Sequence, residues 1–314
     1  MSAPYEVLLY YKYFPVPDAA SYVVEHRALC QKLGLLGRIL VAPEGINGTV
    51  SGLREQTQHY QALLSDEPGT EDMAFKVDPA DGHVFQKLSI KARQEIVTLG
   101  LPAEADIDPN QVTGNYLSPK AFYEAMQDPN TVVLDGRNDY ESELGRFCNA
   151  LCPDVGNFRD FPQWIRNHRS LLEGKRILTY CTGGIRCEKL SGFLIQEGFE
   201  DVNQLHGGIV TYGRDPDVQG RDFEGSCYVF DERIGIPVNH ANPTVISHCA
   251  HCDQPCERYR NCAYIFLRFS CMRMTASPET KRKNGMRIFL TDDSRRASRS
   301  LGRSSSLRLP FGST

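Results

Sequence analysis

No run of 18 consecutive apolar residues occurs in this 314-residue chain, so no transmembrane helix is expected and no membrane partner. Met1 to Lys12 has neither a basic n-region nor a small-residue cleavage site, so no signal peptide is expected. The eleven cysteines are odd in number and follow no secretory signal, which argues against a disulfide framework and for reduced thiols in the cytoplasm. No nucleotide cofactor is evident. The net charge of only −4 does not by itself announce a nucleic-acid partner, which would need a local basic patch.

What is present is ordinary in bulk and uneven in distribution. Hydrophobic content of 41% and charged content of 24% allow a core of normal size. Residues 273–314 carry ten Lys/Arg against three Asp/Glu, so the rest of the chain is acidic. Length and composition shifts suggest five stretches: a domain over 1–97, a linker over 98–115, a domain over 116–215, an extension over 216–271 and a basic Ser/Arg-rich tail over 272–314, read as disordered.

In the first domain, strands are expected at 7–14, 37–42, 49–52, 75–77 and 88–90, with helices opening at Pro17-Asp18 and spanning about 55–64. Pro43 to Gly48 reads as a turn. The order β-α-β-β-α-β is the split βαβ, or ferredoxin-like, pattern. In the second domain strands at 131–135, 176–180 and 202–205 alternate with helices at 161–172 and 187–197, which means a parallel sheet with helices on both faces. His206-Gly207-Gly208 shapes a turn. One strand is expected in the extension, at 227–231.

The chemistry centres on Cys181. Strand 176–180 delivers it to the carboxyl edge of the sheet, where such folds bind ligands. Gly183 and Gly184 let the loop Thr182-Gly183-Gly184-Ile185-Arg186 curl so that its amides point inward as an anion nest. The following helix adds its dipole and Arg186 a full charge. Together they favour the thiolate and lower the Cys181 pKa from ~8.5 toward ~5–7. Cysteine phosphatases place five residues between Cys and Arg. Only four stand here, a ring that suits a single sulfur better than a phosphate.

Other candidates keep two readings each. Cys187 is a resolving thiol or a small packed residue. Asp135 and Arg137 form a structural ion pair or touch substrate. Cys249, Cys252, Cys256 and Cys262, near His248 and His251, suit a structural zinc ion, or are unliganded thiols. The aromatic first strand and the turn 44–48 offer an RNA surface, and the basic tail is either solvated or touches phosphates.

Leu134-Asp135-Gly136-Arg137 with Tyr140-Glu141, Gly145-Arg146-Phe147, Phe158 to Pro162, the Cys181 loop and Leu205 to Ile209 together resemble a rhodanese domain. With Pro43-Glu44-Gly45-Ile46-Asn47-Gly48-Thr49 ahead of it and a cysteine-rich segment behind, the chain resembles the bacterial tRNA uridine(34) hydroxylase family over roughly residues 5–262. The resemblance implies a ferredoxin-like (acylphosphatase-like) α+β domain followed by a rhodanese α/β domain. It also implies Cys181 as catalytic residue, tRNA as partner, molecular oxygen as co-substrate and 5-hydroxyuridine at the wobble position as product; it names no protein partner. Two departures stand out: Cys148 and Cys152 are unexpected, and the family's further cysteines after Cys262 are replaced by Tyr264 to Phe269 and the tail, like a divergent or frame-shifted terminus. The rival activity is sulfur transfer through a Cys181 persulfide. A non-catalytic redox or zinc scaffold is a third reading, but it leaves the intact loop unexplained.

Overall fold

The computed structural model describes residues 3–249, 253–257, 259–261 and 272–274. The N-terminal domain comprises β1 (Tyr5–Tyr13), α1 (Ala19–Lys32), β2 (Leu36–Ala42), β3 (Gly45–Leu53), α2 (Arg54–Ser65), β4 (Lys76–Ala80) and β5 (Leu88–Ala92). Asp18 starts α1 by accepting from the amides of Ala20 and Ser21, both at 3.0 Å. The strands order as β4-β1-β3-β2-β5, antiparallel except for β5 beside β2. The 43–48 turn is shorter than expected. Gly45 to Gly48 already pair with both β1 and β2, so only Pro43 and Glu44 bridge the hairpin.

Strand alternation gives this sheet two uses. Leu8, Tyr10, Ile39, Val41 and Val50 face the helices and pack with Tyr60 and Leu64 of α2. Burial lowers the pKa of His26 on α1 to about 4, so the neutral ring bonds Tyr60 Oη at 2.7 Å. The opposite face, including Leu9, Tyr11, Arg38, Leu40, Asn47 and Thr49, looks toward the second domain.

That domain comprises β6 (Asn115–Leu117), α3 (Pro119–Met126), β7 (Thr131–Asp135), α4 (Asp139–Leu144), β8 (Gly145–Phe147), α5 (Phe161–Asn167), β9 (Arg176–Tyr180), α6 (Ile185–Gln196), β10 (Val202–Leu205) and α7 (Gly208–Arg214). Its parallel sheet runs β6-β10-β9-β7. Neighbouring strand residues serve opposite faces. Ile177 packs with Trp164, Leu190 and Phe193 on one side, Leu178 with Phe122, Ile209 and Tyr212 on the other. The helix expected over 161–172 breaks into α5 and a 3₁₀ turn at Arg169–Leu171, and α6 begins two residues earlier than expected. Residues 98–115 do not hang free, because Leu99 and Ile107 are buried in the core around Trp164.

The extension contributes β11 (Phe223–Tyr228) and β12 (Gly235–Pro237). The strand sits four residues earlier than expected because it pairs with β8, Phe223 opposite Phe147 and Gly225 opposite Gly145. Two further short strands, β13 (Tyr259–Asn261) and β14 (Met272–Met274), pair antiparallel, so the first residues of the tail are strand. Cys252, Cys262, Cys271, the 264–269 segment and the tail from 275 onward, with its expected disorder, lie outside the described residues. No helix among the described residues is long and apolar enough to cross a membrane.

Candidate active site

Cys181 follows the last residue of β9 and is 1% exposed. The Gly184 amide donates to its sulfur at 3.1 Å. Burial pushes the thiol pKa up, but the Cys187 thiol, the Arg186 charge and the amides of Cys187 and Arg186 outweigh it, leaving a value of about 6. The sulfur is therefore largely thiolate at neutral pH, which makes it a nucleophile. Cys187 is its neutral counterpart: burial and the adjoining sulfur hold its own pKa well above the ordinary thiol value.

The loop is pinned from three sides. Ile209 and Val210, at the start of α7, donate to the carbonyls of Cys181 and Thr182 at 3.0 and 3.1 Å. This is what the His206-Gly207-Gly208 turn accomplishes. Arg186 is clamped by Glu141 of α4, Nη1 to Oε2 at 2.6 Å and Nη2 to Oε1 at 2.8 Å. The third side is the N-terminal sheet. A Cβ on Gly183 would come within 2.9 Å of Leu9 Cδ2, and one on Gly184 within 2.9 Å of Tyr11 Oη. Gly184 also has φ +104°, a backbone state that side chains disfavour.

The sheet face and the loop bound a half-open cavity of about 390 Å³. Cys181, Thr182, Gly183, Ile185 and Arg186 line it, as do Leu9, Leu40 and Asn47 of the first domain. Gly184 caps α6, and Cys187 is buried behind the loop. Asp135 and Arg137 are elsewhere. Both are 1% exposed and joined by bonds of 2.6 and 2.9 Å, with Arg137 also reaching the Gly145 carbonyl. They form a structural pair that ties β7 to β8. The Cys249 amide bonds Gln254 O at 2.8 Å and the Cys256 amide bonds Ser247 O at 2.9 Å. Among the described residues no three His, Cys, Asp or Glu side chains gather as a metal site. Of the aromatics on the first strand, Tyr10 and Tyr13 are 0% and 7% exposed, whereas Tyr11 is partly exposed and lines the cavity. The turn residue Glu44 is engaged with Lys189.

Several residues around the site had no role in the sequence reading. Lys189, fully buried on α6, meets Glu44 at 2.7 Å, Glu95 at 2.8 Å and Asp106 at 3.3 Å, which ties the second domain to the first and to the joining segment. Its neighbour Glu188 accepts from Tyr11 at 2.8 Å and Tyr116 at 2.7 Å. The half-buried Lys76 lies over the Tyr11 ring, and burial lowers its pKa to about 8. The Tyr140-Glu141 and Glu188-Lys189 pairs sit inside the motifs that carry the rhodanese resemblance. That is the only signal the sequence offered for them.

An acylphosphatase-like sheet closed over a thiolate-bearing rhodanese loop defines a rhodanese-domain protein of cysteine chemistry. Family patterns agree: a UPF0176 acylphosphatase-like domain matches residues 5–96, a rhodanese-like domain 118–215 and a rhodanese C-terminal segment 224–283. The chain is 57% identical over 263 residues to the tRNA uridine(34) hydroxylase of Bacillus licheniformis, covering 84% of this chain and 81% of that one. It is 55% identical to the protein of that name from Bacillus velezensis over 84% and 81% of the two chains, and 52% identical to that of Bacillus pumilus over 90% and 86%. The chain belongs to the tRNA uridine(34) hydroxylase family.

Proposed function

We propose that this protein hydroxylates uridine 34 of tRNA to 5-hydroxyuridine in the cytoplasm, with molecular oxygen as co-substrate and Cys181 as the reactive group. The observation that carries this reading is the Cys181 thiolate set in the wall of a half-open cavity between the domains, in a chain 57% identical to a protein named for that reaction. An enzyme that modifies a base must take it out of the stack and into a pocket. The cavity, about 390 Å³, falls within the roughly 300–1,000 Å³ of small-ligand sites. Its apolar wall and its thiolate suit a flat base better than a free phosphate. The amides that stabilise the thiolate would stabilise any other anion on that sulfur, including a persulfide or a cysteine oxyacid.

The test is complementation of a strain deleted for its own copy, grown under heavy-isotope oxygen. Digested tRNA is read by mass spectrometry. The intact chain is expected to restore wobble hydroxyuridine carrying the isotope, and Cys181→Ala to restore none. An unmodified wobble uridine, alongside sulfur transfer from thiosulfate to cyanide by the purified protein, would replace this reading with persulfide chemistry.

A further inference from the structure

We infer that the mouth of the Cys181 cavity is a clamp for single-stranded RNA, in which Arg38, Arg93 and Arg159 hold phosphates and Phe230 stacks a base beside the one in the cavity. The inference rests on the tRNA reading above and assigns the residues that would grip the anticodon loop.

The charge at the mouth is uncompensated. Arg38 on β2, Arg93 after β5 and Arg159 in the 3₁₀ turn Phe158–Asp160 all line the cavity and are all exposed. They come from both domains, so only the closed arrangement brings them together. None of the three is ion-paired among the described residues, whereas the fourth lining arginine, Arg186, is neutralised by Glu141. The only carboxylate lining the cavity among the described residues is Glu95. It is spent on Lys189 at 2.8 Å and on the Leu99 amide at 3.0 Å. The result is three guanidinium groups without a carboxylate partner among the described residues around one opening, Arg93 also donating to the Ala92 carbonyl at 3.0 Å, in a chain whose net charge is −4. Exposed arginines not neutralised by a carboxylate are well suited to phosphate oxygens, which they bind with a planar fork of donors.

An aromatic side chain stands at the same opening. Phe230 is 47% exposed, one of few large apolar side chains left in solvent, and it lines the cavity with the Arg186 guanidinium 6.0 Å from its ring centre. Cations that track a backbone together with an aromatic face for bases make up the usual grip on single-stranded RNA. A free mononucleotide would not need three separated cations; a loop with phosphates on both sides of the inserted base would.

The experiment measures binding of a synthetic anticodon stem-loop RNA to the full chain across a salt series. Each of Arg38→Gln, Arg93→Gln and Arg159→Gln is expected to flatten the log–log salt dependence by about 0.7, and Arg38→Lys to restore it. Phe230→Ala is expected to weaken binding roughly 5- to 150-fold with the salt slope unchanged. Arg176→Gln is the control. Arg176 begins β9, at the opposite end from Cys181, and pairs with Asp201, so its loss is expected to change nothing. An unchanged slope in the triple glutamine variant, in protein that still hydroxylates tRNA, would overturn the clamp alone. Absence of both RNA binding and hydroxylation in the unsubstituted chain would overturn the function and the clamp together.

Discussion

Glu141 takes both terminal nitrogens of Arg186, at 2.6 and 2.8 Å, and is itself completely buried. The arginine that tunes the Cys181 thiolate is thus half of a buried ion pair. Removing one partner from such a pair leaves an uncompensated charge and costs about 3–5 kcal/mol. Glu141→Gln is expected to lose stability on that scale in chemical denaturation. Stability within about 0.5 kcal/mol of the unsubstituted chain would mean the pair is not needed.

The thiolate has a pH signature. Alkylation of Cys181 by iodoacetamide is expected to accelerate as pH rises and to level off above its pKa of about 6. Arg186→Gln should move that midpoint up, because the guanidinium favours the anion, and Glu141→Gln should move it down. The sign for stability follows from the same shift. A pKa lowered on folding stabilises the folded chain fully above the unfolded thiol's ~8.5, and that contribution fades as pH falls through about 6. Cys181→Ala should therefore flatten the stability profile between those limits, as measured by urea midpoints.

Lys189 joins the domains by holding Glu44, Glu95 and Asp106 at once. Lys189→Met is expected to loosen the docked domains and to speed proteolysis within residues 98–115. Burial raises the Glu44 pKa even with the lysine present, and without it the carboxyl should titrate higher still. The defect should accordingly be worst near neutral pH and relieved in acid, where Glu44 is protonated. Proteolysis rates equally raised at all pH values would refute the electrostatic account.

The two loop glycines are not equivalent. At Gly183 an added methyl meets only the flexible end of Leu9, so Gly183→Ala should cost no more than about 1–3 kcal/mol and be eased by Leu9→Ala. Gly184 has φ +104° and sits under the Tyr11 hydroxyl. Gly184→Ala should cost about as much in backbone strain alone and should not be rescued by Tyr11→Phe. Thermal melts of the single and paired variants would show it.

Much of the fold was legible because it is written in local periodicity. The strand at 202–205 and the apolar strands at 131–135 and 176–180 stand where their patterns put them. The misplaced pieces depended on partners. The strand in the extension is fixed by β8, and the hairpin after β2 is shortened because Gly45 to Gly48 pair on both sides.

The sequence by itself determined the reactive loop. The sulfur, the amides of Gly184 and Arg186, the thiol of Cys187 and the guanidinium all lie within seven residues, so short-range geometry suffices to lower the Cys181 pKa. Tertiary structure decided what surrounds it. Glu141 stands 45 residues from Arg186, and Tyr11 stands 177 from Glu188. Nothing in a strand's alternation says which domain its second face will cover. That face could be assigned only once packing had closed it over Cys181.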